Sequence, residues 1–596
     1  MMKIGSAVRL SSLFCCALFS CMTLLSLVAH AEPAANVHDA AIQAIESNPD
    51  VQASWHAFKA AGHQVGEVRA GYLPSVDLAA STGKTKRDFD GRDNYTSSQG
   101  QVSLTQSLFE GFRTMGQVEH YDGARLVRYY ELLNTIEETA FETVRAFEDV
   151  NRERALLNSA RDNYTKHQEV FSQIEERVTS GVGRKVDLEQ VAGRLALAET
   201  NLLTEASNLH DVTARYLRIV GSLPAADLTA SELSQAKLPA NIREALQLAY
   251  QGNSGFRAAI KNISAIQANV KVARSGYMPK VELRARQVVS RNGNGFDERA
   301  DAVRYGDESA VELAVTYNLF AGGATRSAVR RALEEVNQAK DLRDKACVDL
   351  RQTTQIAYND SQRIKEQLKS LDQHRRSSDK VRTAYNEQFK IGQRSLLDLL
   401  DAENEYFQAS RSYTSAQADL NIAHARTLTA MGSLLPVLKI TRDKLLQVKD
   451  AKVSDKVKSD GANACPLEVA EGFSRKDLIS ETVRLSGDAL FDVGSSVLTP
   501  NATQKLDSLI QQIKNTPKVV QIKIEGHTDN TGTDMINIPL SKARAESVKN
   551  YFIANGLDQI SYQAEGYGAT RAVGDNTNDV GRSANRRVEI TVSRQG

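Results

Sequence analysis

The sequence lacks the features that mark several large classes of protein. Lys and Arg number 74 against 73 Asp and Glu, and this near-neutral balance argues against a general nucleic-acid binder. The chain has no phosphate-binding loop, no nucleophile elbow and no pair of catalytic carboxylates in a pocket-forming context, so we expect neither enzymatic activity nor a cofactor. Aromatic residues are only 6% of the 596 residues, which favours long helices over a large mixed sheet.

Cysteines are equally scarce, with five in the chain and three of them before residue 22. Cys347 and Cys465 remain, too few for a disulfide framework and without the spacing of metal ligands. The sequence leaves open whether these two are joined. His527 has no second His, Cys or acidic partner at ligand spacing, so we expect a structural histidine and no metal site.

Long apolar runs are confined to the N-terminus. Residues 13–28 form one such run, preceded by two basic residues and followed by Ala-His-Ala at 29–31. This arrangement is typical of a cleaved secretory signal peptide over residues 1–31, the alternatives being a membrane anchor or a lipoprotein signal ending at Cys21. No later stretch reaches 18 apolar residues, so a membrane crossing further along the chain would have to use strands.

The chain contains one internal duplication. Gly-Tyr-Leu-Pro at 71–74 recurs as Gly-Tyr-Met-Pro at 276–279, an offset of 276 − 71 = 205 residues. Leu-Phe-Glu-Gly at 108–111 recurs as Leu-Phe-Ala-Gly at 319–322, an offset of 319 − 108 = 211. One register therefore runs through the repeated unit, with a six-residue insertion near 290–307.

Each copy is predicted to contain one helix, two short strands and two longer helices. The first helix is expected over 37–69 and 242–274, because the proline of Gly-Tyr-x-Pro cannot continue it. Two strands of alternating polar and apolar residues follow, around polar loops at 86–94 and 290–309. Apolar residues spaced three or four apart then predict long, coiled-coil-like helices. Their expected ranges are 113–178, 187–219, 327–391 and 398–431.

The predicted strands are about ten residues long, with one apolar and one polar face, as in the wall of a transmembrane β-barrel. A half-buried hairpin in a soluble sheet is the alternative. The export signal and the lack of other strand partners nearby favour the barrel. Four strands cannot close a barrel, since about eight is the smallest number observed, and open edges are not tolerated in lipid. The barrel interpretation therefore requires an oligomer.

Residues 32–440 resemble the TolC family of outer-membrane channel proteins. The resemblance rests on the duplicated Gly-Tyr-x-Pro motif, on Gln-Ser-Leu-Phe-Glu-Gly at 106–111 with its copy at 318–322, and on helix turns at Gly181 and Gly392. It implies a homotrimer whose twelve strands form one barrel in outer-membrane lipid, above a long periplasmic α-barrel with a closed tip. It also implies two partners, a periplasmic adaptor protein and an inner-membrane ABC exporter or pump.

The family resemblance also implies a gate at the periplasmic tip. The Leu-Asp-Leu-Leu-Asp segment that contains Asp398 and Asp401 is similar to the family's tip segment, where aspartates ring the constriction. These two residues share a helix face, so in a trimer they would form a cation-attracting ring, an ordinary solvated helix face being the alternative. Arg394 and Asp187 match two tip-closing positions, whereas Phe389 stands where such channels can carry a tyrosine.

The C-terminal region resembles the OmpA-like peptidoglycan-binding domain. The motif is Ile-Glu-Gly-His-Thr-Asp-Asn-Thr-Gly at 524–532 followed by Asn-x-x-Leu-Ser-x-x-Arg-Ala at 537–545, with Phe-Asp at 491–492 upstream and Asn-Arg-Arg-Val at 585–588 downstream. The resemblance implies recognition of the diaminopimelate residue of the cell-wall peptide. Asp529 would accept hydrogen bonds from its ammonium group, and Arg544 would hold its carboxylate with a bidentate fork.

Three further residues match supporting positions of that domain: Asn537, Thr531 and Arg586. The alternative is that Asp529 caps a turn and Arg544 lies on the surface. A strand is predicted over 522–526, a helix over 541–555 and a strand over 587–592.

The sequence thus predicts a mostly α protein with transmembrane β structure and a small C-terminal α/β domain, located in the cell outer membrane with its helical barrel and C-terminal domain in the periplasm. The expected divisions are a signal peptide (1–31), a TolC-like channel (32–440, repeats about 37–224 and 242–436), a linker (441–480) and an OmpA-like domain (481–596). The expected function is an exit duct for type I protein secretion, anchored to peptidoglycan. The alternatives are small-molecule efflux with a pump partner and a non-transporting tether between outer membrane and wall.

Overall fold

The computed structural model describes residues 33–86, 95–229, 231, 233–291, 305–441, 445, 465–470, 481–515 and 519–594. The expected signal peptide and most of the expected linker lie outside the described residues. The chain divides into two compact units, Met1–Thr354 with Leu371–Pro466 and Gln355–Ser370 with Leu467–Gly596. Among the residues that the structure describes, every helix falls short of the length or hydropathy needed to span a bilayer.

Both copies of the duplication fold into the same series of elements. The first copy consists of α1 (Val37–Ser47), α2 (Pro49–Arg69), β1 (Ser75–Thr85), β2 (Tyr95–Phe109), α3 (Arg113–Thr179) and α4 (Lys185–Val220). The second consists of α5 (Ile242–Gly252), α6 (Ser254–Arg274), β3 (Lys280–Arg291), β4 (Tyr305–Thr316), α7 (Ala324–Lys390) and α8 (Leu396–Ala430), after which comes the short α9 (Leu434–Val437). The duplicated architecture predicted from sequence is therefore confirmed.

The prediction of one continuous helix before the strands is wrong in both copies. In the first copy the helix is interrupted at Asn48, whose side chain accepts a hydrogen bond from the backbone N–H of Asp50, and Pro49 opens the next helix. In the second copy Asn253 interrupts the helix and accepts from the backbone N–H of Phe256. Asparagine is a strong N-cap, so each capping side chain ends one helix and begins another.

The two hairpins join into one antiparallel sheet in the order β1-β2-β3-β4. Strand β2 pairs with β3, which connects the first copy to the second. Alternating apolar side chains along the strands are exposed, as expected for a sheet that faces lipid. They include Val76, Leu78, Val311, Leu313 and Val315. Within the described part of a single chain, the outer edges of β1 and β4 have no strand partner.

The long helices give the channel region its length. Helices α3 and α7 have 67 residues each, which corresponds to about 100 Å at 1.5 Å per residue. Gly181 and Gly392, with φ of 79° and 76°, form the turns after these two helices, a left-handed conformation that glycine adopts without strain. A disulfide joins Cys347 to Cys465, a pairing that the sequence leaves open, with 6.0 Å between their Cα atoms.

The C-terminal region forms a four-stranded sheet with helices packed on it. Its elements are β5 (Glu481–Ser486), α10 (Gly487–Leu490), α11 (Pro500–Lys514), β6 (Val519–His527), α12 (Asp534–Ala554), β7 (Ser561–Gly566), α13 (Asp579–Asn585) and β8 (Arg587–Arg594). The strand order is β5-β8-β6-β7, with β6 and β7 parallel. The helix predicted to begin at residue 541 begins at Asp534 instead. It includes Pro539, whose missing N–H removes one backbone hydrogen bond from the helix.

Candidate functional site

Two glycines bring the C-terminal motif residues together. A Cβ on Gly526 would lie 2.1 Å from the carbonyl oxygen of Ser541, and one on Gly566 would lie 2.2 Å from the backbone nitrogen of Lys542. Only glycine allows helix α12 to approach strands β6 and β7 this closely. The close packing sets Arg544, on α12, against the loop that follows β6 and carries Asp529.

Asp529 is a buried, ionised carboxylate. Its Oδ1 accepts a hydrogen bond of 2.9 Å from the backbone N–H of Thr531, and its Oδ2 accepts one of 2.6 Å from Nη1 of Arg586. Burial by itself would raise the pKa of Asp529, but the hydrogen bonds from Arg586 and Thr531 outweigh it and hold the pKa below its usual value. The carboxylate therefore stays charged at neutral pH.

Arg544 is buried as well, with 4% of its surface exposed, so it is not a surface arginine. Its Nε donates to the carbonyl oxygen of Ser495 at 2.9 Å, its Nη2 donates to that of Asp492 at 3.3 Å, and its guanidinium lies 5.2 Å from the ring of Phe491. Burial lowers the pKa of Arg544, and the nearby carboxylates partly offset this effect. These contacts fix the plane of the guanidinium, so part of its donor fork already serves the protein.

Arg586 joins Asp529 to a residue that the sequence motif does not reveal. Its Nε and Nη2 donate to the two carboxylate oxygens of Asp488 at 2.6 and 2.7 Å, while its Nη1 donates to Asp529. Hydrogen bonds to both carboxylates raise the pKa of Arg586 above its usual value. Only the pairing of β5 with β8 brings Asp488 to this place, which is why the sequence motif does not include it.

The other predicted residues support the loop. Asn537 is buried, and its Nδ2 donates to the carbonyl oxygens of Asp529 and Thr531 at 3.4 and 3.2 Å. His527 is 2% exposed and stacks on Tyr567 with 5.7 Å between ring centroids. The described residues contain no group of three or more His, Cys, Asp or Glu side chains that could hold a metal ion. Four charged side chains, Asp488, Asp529, Arg544 and Arg586, thus make up the site.

At the channel tip, Asp398 caps its own helix. Its backbone N–H donates to Oγ of Ser395 at 3.2 Å, and its Oδ2 accepts from the backbone N–H of Ser395 at 3.3 Å, which makes a capping box at the start of α8. Nη1 of Arg394 lies 3.9 Å from the same Oδ2. Arg394 also donates from Nε to Gln388 at 2.9 Å.

The remaining tip residues pair elsewhere in the chain. Asp401 accepts a hydrogen bond of 2.7 Å from Nη2 of Arg194 on α4. Asp187 accepts one of 3.2 Å from Nε of Arg184. Within one chain the structure therefore brings Asp398 to Arg394 but gives Asp187 and Asp401 separate partners. Sequence reasoning missed Arg184 and Arg194, because charged residues on exposed helix faces are common and carry no motif.

Phe389 lies in an apolar cluster that joins the helix ends at the tip. The buried members of this cluster are Ile174, Val191, Phe389, Leu396, Leu399 and Leu400. The guanidinium of Arg177 lies 5.4 Å from the Phe389 ring. Phe389 lacks the hydroxyl group that a tyrosine would have at this position, and it packs between the helix pairs by apolar and cation–π contact.

Comparison with protein families matches residues 41–222 and 245–433 to the outer membrane efflux protein family. Residues 490–586 match the OmpA family. The two matched ranges of the first family follow the duplication. The matched families are those of channels and outer-membrane proteins and not of enzymes.

Individual relatives match either the channel region or the C-terminal domain. The outer membrane efflux protein BepC of Brucella suis biovar 1 (strain 1330) is 24% identical over 423 residues, which cover 70% of this chain and 89% of that protein. The outer membrane porin F of Pseudomonas fluorescens is 36% identical over 117 residues, 20% of this chain and 36% of that protein. The second likeness spans little more than a third of the porin, so it concerns the C-terminal domain alone.

Solved structures show the fold of the channel region. The Campylobacter jejuni CmeC outer membrane channel matches with a TM-score of 0.58 at 14% identity, over 67% of this chain and 86% of that one. The outer membrane protein VceC of Vibrio cholerae matches with a TM-score of 0.57 at 16% identity, over 67% of this chain and 99% of that one. Together with the family matches and the duplicated strand-and-helix units, these findings show that the chain belongs to the outer membrane efflux protein family, the TolC-like channels of the outer membrane, and carries a C-terminal OmpA-family domain.

Proposed function

We propose that this channel is the exit duct of a tripartite export system and is held to peptidoglycan by its C-terminal domain. In this proposal residues 32–440 form the duct, 441–480 the linker and 481–596 the wall-binding domain. The observation that carries the wall contact is the cluster of two carboxylates and two guanidinium groups in which Asp529 and Arg544 are buried, while Asp488 and Arg586 are more exposed. Channels of this family are homotrimers that work with adaptor and pump partners, and OmpA domains bind peptidoglycan.

The unpaired edges of β1 and β4 support the trimer. Exposed backbone donors and acceptors at these edges are too costly to leave open in lipid, and four strands are too few to close a barrel. Three chains would pair β1 of one with β4 of the next and complete twelve strands. Cysteines placed in facing positions of β1 and β4 should crosslink the purified protein into trimers, whereas dimers or monomers alone would contradict the proposal.

The tip carboxylates support a cation-attracting gate. Asp398 and Asp401 lie on one face of α8, and three chains would place six carboxylates around the pore. The test is single-channel conductance in planar bilayers of the wild type beside the double variant Asp398→Asn, Asp401→Asn. Asparagine removes both charges while still accepting the capping hydrogen bond from Ser395. We expect a small, cation-selective conductance that loses selectivity in the variant. Unchanged selectivity would refute the ring.

The cargo that we propose first is protein, by type I secretion through an inner-membrane ABC exporter. The second candidate is small-molecule efflux, which the name of the Brucella relative, an efflux protein, favours. A deletion strain separates the two. Loss of one or a few secreted proteins with unchanged drug sensitivity indicates secretion, and increased drug sensitivity with an unchanged set of secreted proteins indicates efflux.

Charge complementarity supports diaminopimelate as the wall ligand. Its free side-chain end carries one ammonium and one carboxylate, which match Asp529 and Arg544. Full-length protein should cosediment with sacculi that contain diaminopimelate and lose this binding in Asp529→Ala. Full binding by that variant would overturn the assignment. A verified trimer that binds sacculi but never conducts would instead favour a tether without transport.

A further inference from the structure

The guanidinium group of Arg586 donates two hydrogen bonds to one carboxylate and one hydrogen bond to another. The Nε–Nη2 edge makes a bidentate pair with Asp488, at 2.6 and 2.7 Å, whereas Asp529 receives a single hydrogen bond from Nη1. Ser583 adds a hydrogen bond of 2.9 Å from its Oγ to Asp488. The bidentate arrangement is the stronger of the two, so Arg586 is oriented by Asp488 and reaches Asp529 only with its remaining edge.

The backbone holds Asp488 in this position. Strand β5 pairs antiparallel with β8, and Ser486 lies opposite Arg587, so Gly487 after Ser486 lies beside Arg586 before Arg587. The backbone N–H of Gly487 donates to the carbonyl oxygen of Arg586 at 2.7 Å, and a Cβ on Gly487 would lie 2.9 Å from that same carbonyl. Asp488 therefore follows directly after a backbone contact with Arg586, and its side chain needs no rearrangement to meet the guanidinium.

Asp488 also sets the charge of the site. Two carboxylates, Asp488 and Asp529, stand against two guanidinium groups, Arg544 and Arg586, and all of them lie close enough to interact electrostatically with Arg544. The set is electrically balanced and matches a zwitterionic ligand. Without Asp488, the freed fork of Arg586 could turn to Asp529 and occupy both of its oxygens. The site would then keep a net positive charge and favour a simple anion.

We propose that Asp488 is a specificity-determining residue of the C-terminal site: by holding the fork of Arg586 it keeps Asp529 available for the ammonium group of the ligand. This inference rests on the proposed binding of a zwitterionic diaminopimelate side chain. Asp488 itself need not touch the ligand, and it acts through the orientation of Arg586. Its role is to make the site select a ligand with both charges over one with a carboxylate alone.

The test uses the full-length protein in detergent and three tripeptides, measured by isothermal titration calorimetry. The first is L-Ala-γ-D-Glu-meso-diaminopimelate. In the second peptide lysine replaces diaminopimelate, so the side-chain carboxylate is missing. In the third 2-aminopimelate replaces it, so the side-chain ammonium is missing. The variants are Asp488→Asn, Asp529→Ala and, as a matched loss of one exposed carboxylate, Asp558→Asn.

We expect the wild type and Asp558→Asn to prefer the diaminopimelate peptide. Asp488→Asn should bind it about tenfold or more weakly, since a charge-assisted contact to the ammonium is lost, while it binds the aminopimelate peptide as well as the wild type or better. If Asp488→Asn weakens all three peptides equally, or keeps the wild-type preference, the inference is wrong. If the wild type binds none of them, or Asp529→Ala binds as the wild type does, the proposed wall-binding function fails instead.

The same binding data distinguish a folding defect from a change in selectivity. A variant that has merely lost structure loses affinity for every peptide, whereas the proposed role changes the ratio of the affinities for the diaminopimelate and aminopimelate peptides. Thermal unfolding of Asp488→Asn beside Asp558→Asn checks that both variants fold. A preserved transition combined with an unchanged ratio would leave Asp488 with no part in selection.

Discussion

The channel tip and the C-terminal site use the same two residue types, aspartate and arginine, in opposite surroundings. At the tip the side chains of Asp398 and Asp401 are 43% and 55% exposed, and each pairs with one nearby arginine. In the C-terminal site the side chain of Asp529 is 10% exposed, and its partner Arg586 also pairs with a second carboxylate. The first two carboxylates lie near the start of one helix and pair with different arginines, and the four charged residues of the second site converge from four segments of the chain.

This difference shows which function each set can perform alone. The C-terminal set is already oriented for a ligand within one chain, because Arg586 holds both carboxylates and backbone carbonyls hold Arg544 in place. Exposed pairs on helix ends are weakly coupled, and surface ion pairs contribute little to stability. In the proposed trimer the tip residues would need the neighbouring chains to act as a ring, whereas the proposed C-terminal site is assembled within each chain.

At neutral pH the largest effect is expected from Arg586→Ala. Removing this side chain leaves Asp488 and Asp529 close together without their shared cation. We expect a loss of roughly 2 kcal/mol of stability of the C-terminal domain, less than the 3–5 kcal/mol seen for fully buried pairs because Arg586 is partly exposed. Calorimetric unfolding measures this change. If Arg394→Ala lowered the stability of the channel region by the same amount, the two regions would not differ in how strongly their charged residues are coupled.

The next effect concerns pH. Burial, with a further contribution from Arg587, lowers the pKa of His527 to about 4 from its ordinary value near 6.5. Between these values the unfolded chain binds a proton that the folded chain does not, so the stability of the C-terminal domain falls as the pH drops from about 6.5 to 4. We expect His527→Phe, which keeps the stacking on Tyr567, to remove this part of the pH dependence, by up to about 3 kcal/mol at pH 4.

Thermal unfolding scans between pH 4 and 8 provide the measurement for His527→Phe. Both ring nitrogens of His527 are buried without a hydrogen-bond partner among the described residues, so phenylalanine leaves no new unpaired group. Asp488 and Asp529 have pKa values below the usual range. Their contribution is lost mainly below pH 4. Glu565 and Glu589 also have lowered pKa values and add to the loss of stability at the acidic end of the window, so the histidine's share is the difference between the wild type and His527→Phe. A variant with the same slope as the wild type would contradict this assignment.

A smaller effect is expected from Asp398→Ala at the tip. The substitution removes the capping box with Ser395, which costs about 1 kcal/mol in the local stability of α8. Hydrogen exchange of the first turn of α8 should report the loss. Asp398→Asn is the matched control, because it retains an acceptor for the Ser395 N–H and should fray less.

The smallest effect is expected from Asp187→Asn. Its ion pair with Arg184 spans three residues, and the arginine side chain is 83% exposed. We expect a change in stability within about 0.5 kcal/mol, measured by denaturant unfolding. If Asp187 helps to close the tip, the variant should nevertheless raise the conductance of the trimer. A stability loss as large as that of Arg586→Ala would show that the tip is not a loosely coupled surface.

The sequence predicted the channel region well because its pattern is repeated. The duplicated Gly-Tyr-x-Pro motif located the start of β1 and β3, and glycine turns located the ends of α3 and α7. The breaks at Asn48 and Asn253 were missed, since apolar spacing continues across a capped break and hides it. In the C-terminal domain the motif identified Asp529 and Arg544. It could not show β5, α11, β7 or α13, nor Asp488, whose place depends on strand pairing between distant segments.

The most direct test counts ligand sites on the intact trimer. Isothermal titration of the full-length protein with L-Ala-γ-D-Glu-meso-diaminopimelate should give one site per chain. The sites should disappear in Asp529→Ala while the single-channel conductance stays at the wild-type value. Binding that survives in Asp529→Ala, or a single site shared by three chains, would contradict an anchor that is complete in each chain and separate from the gate.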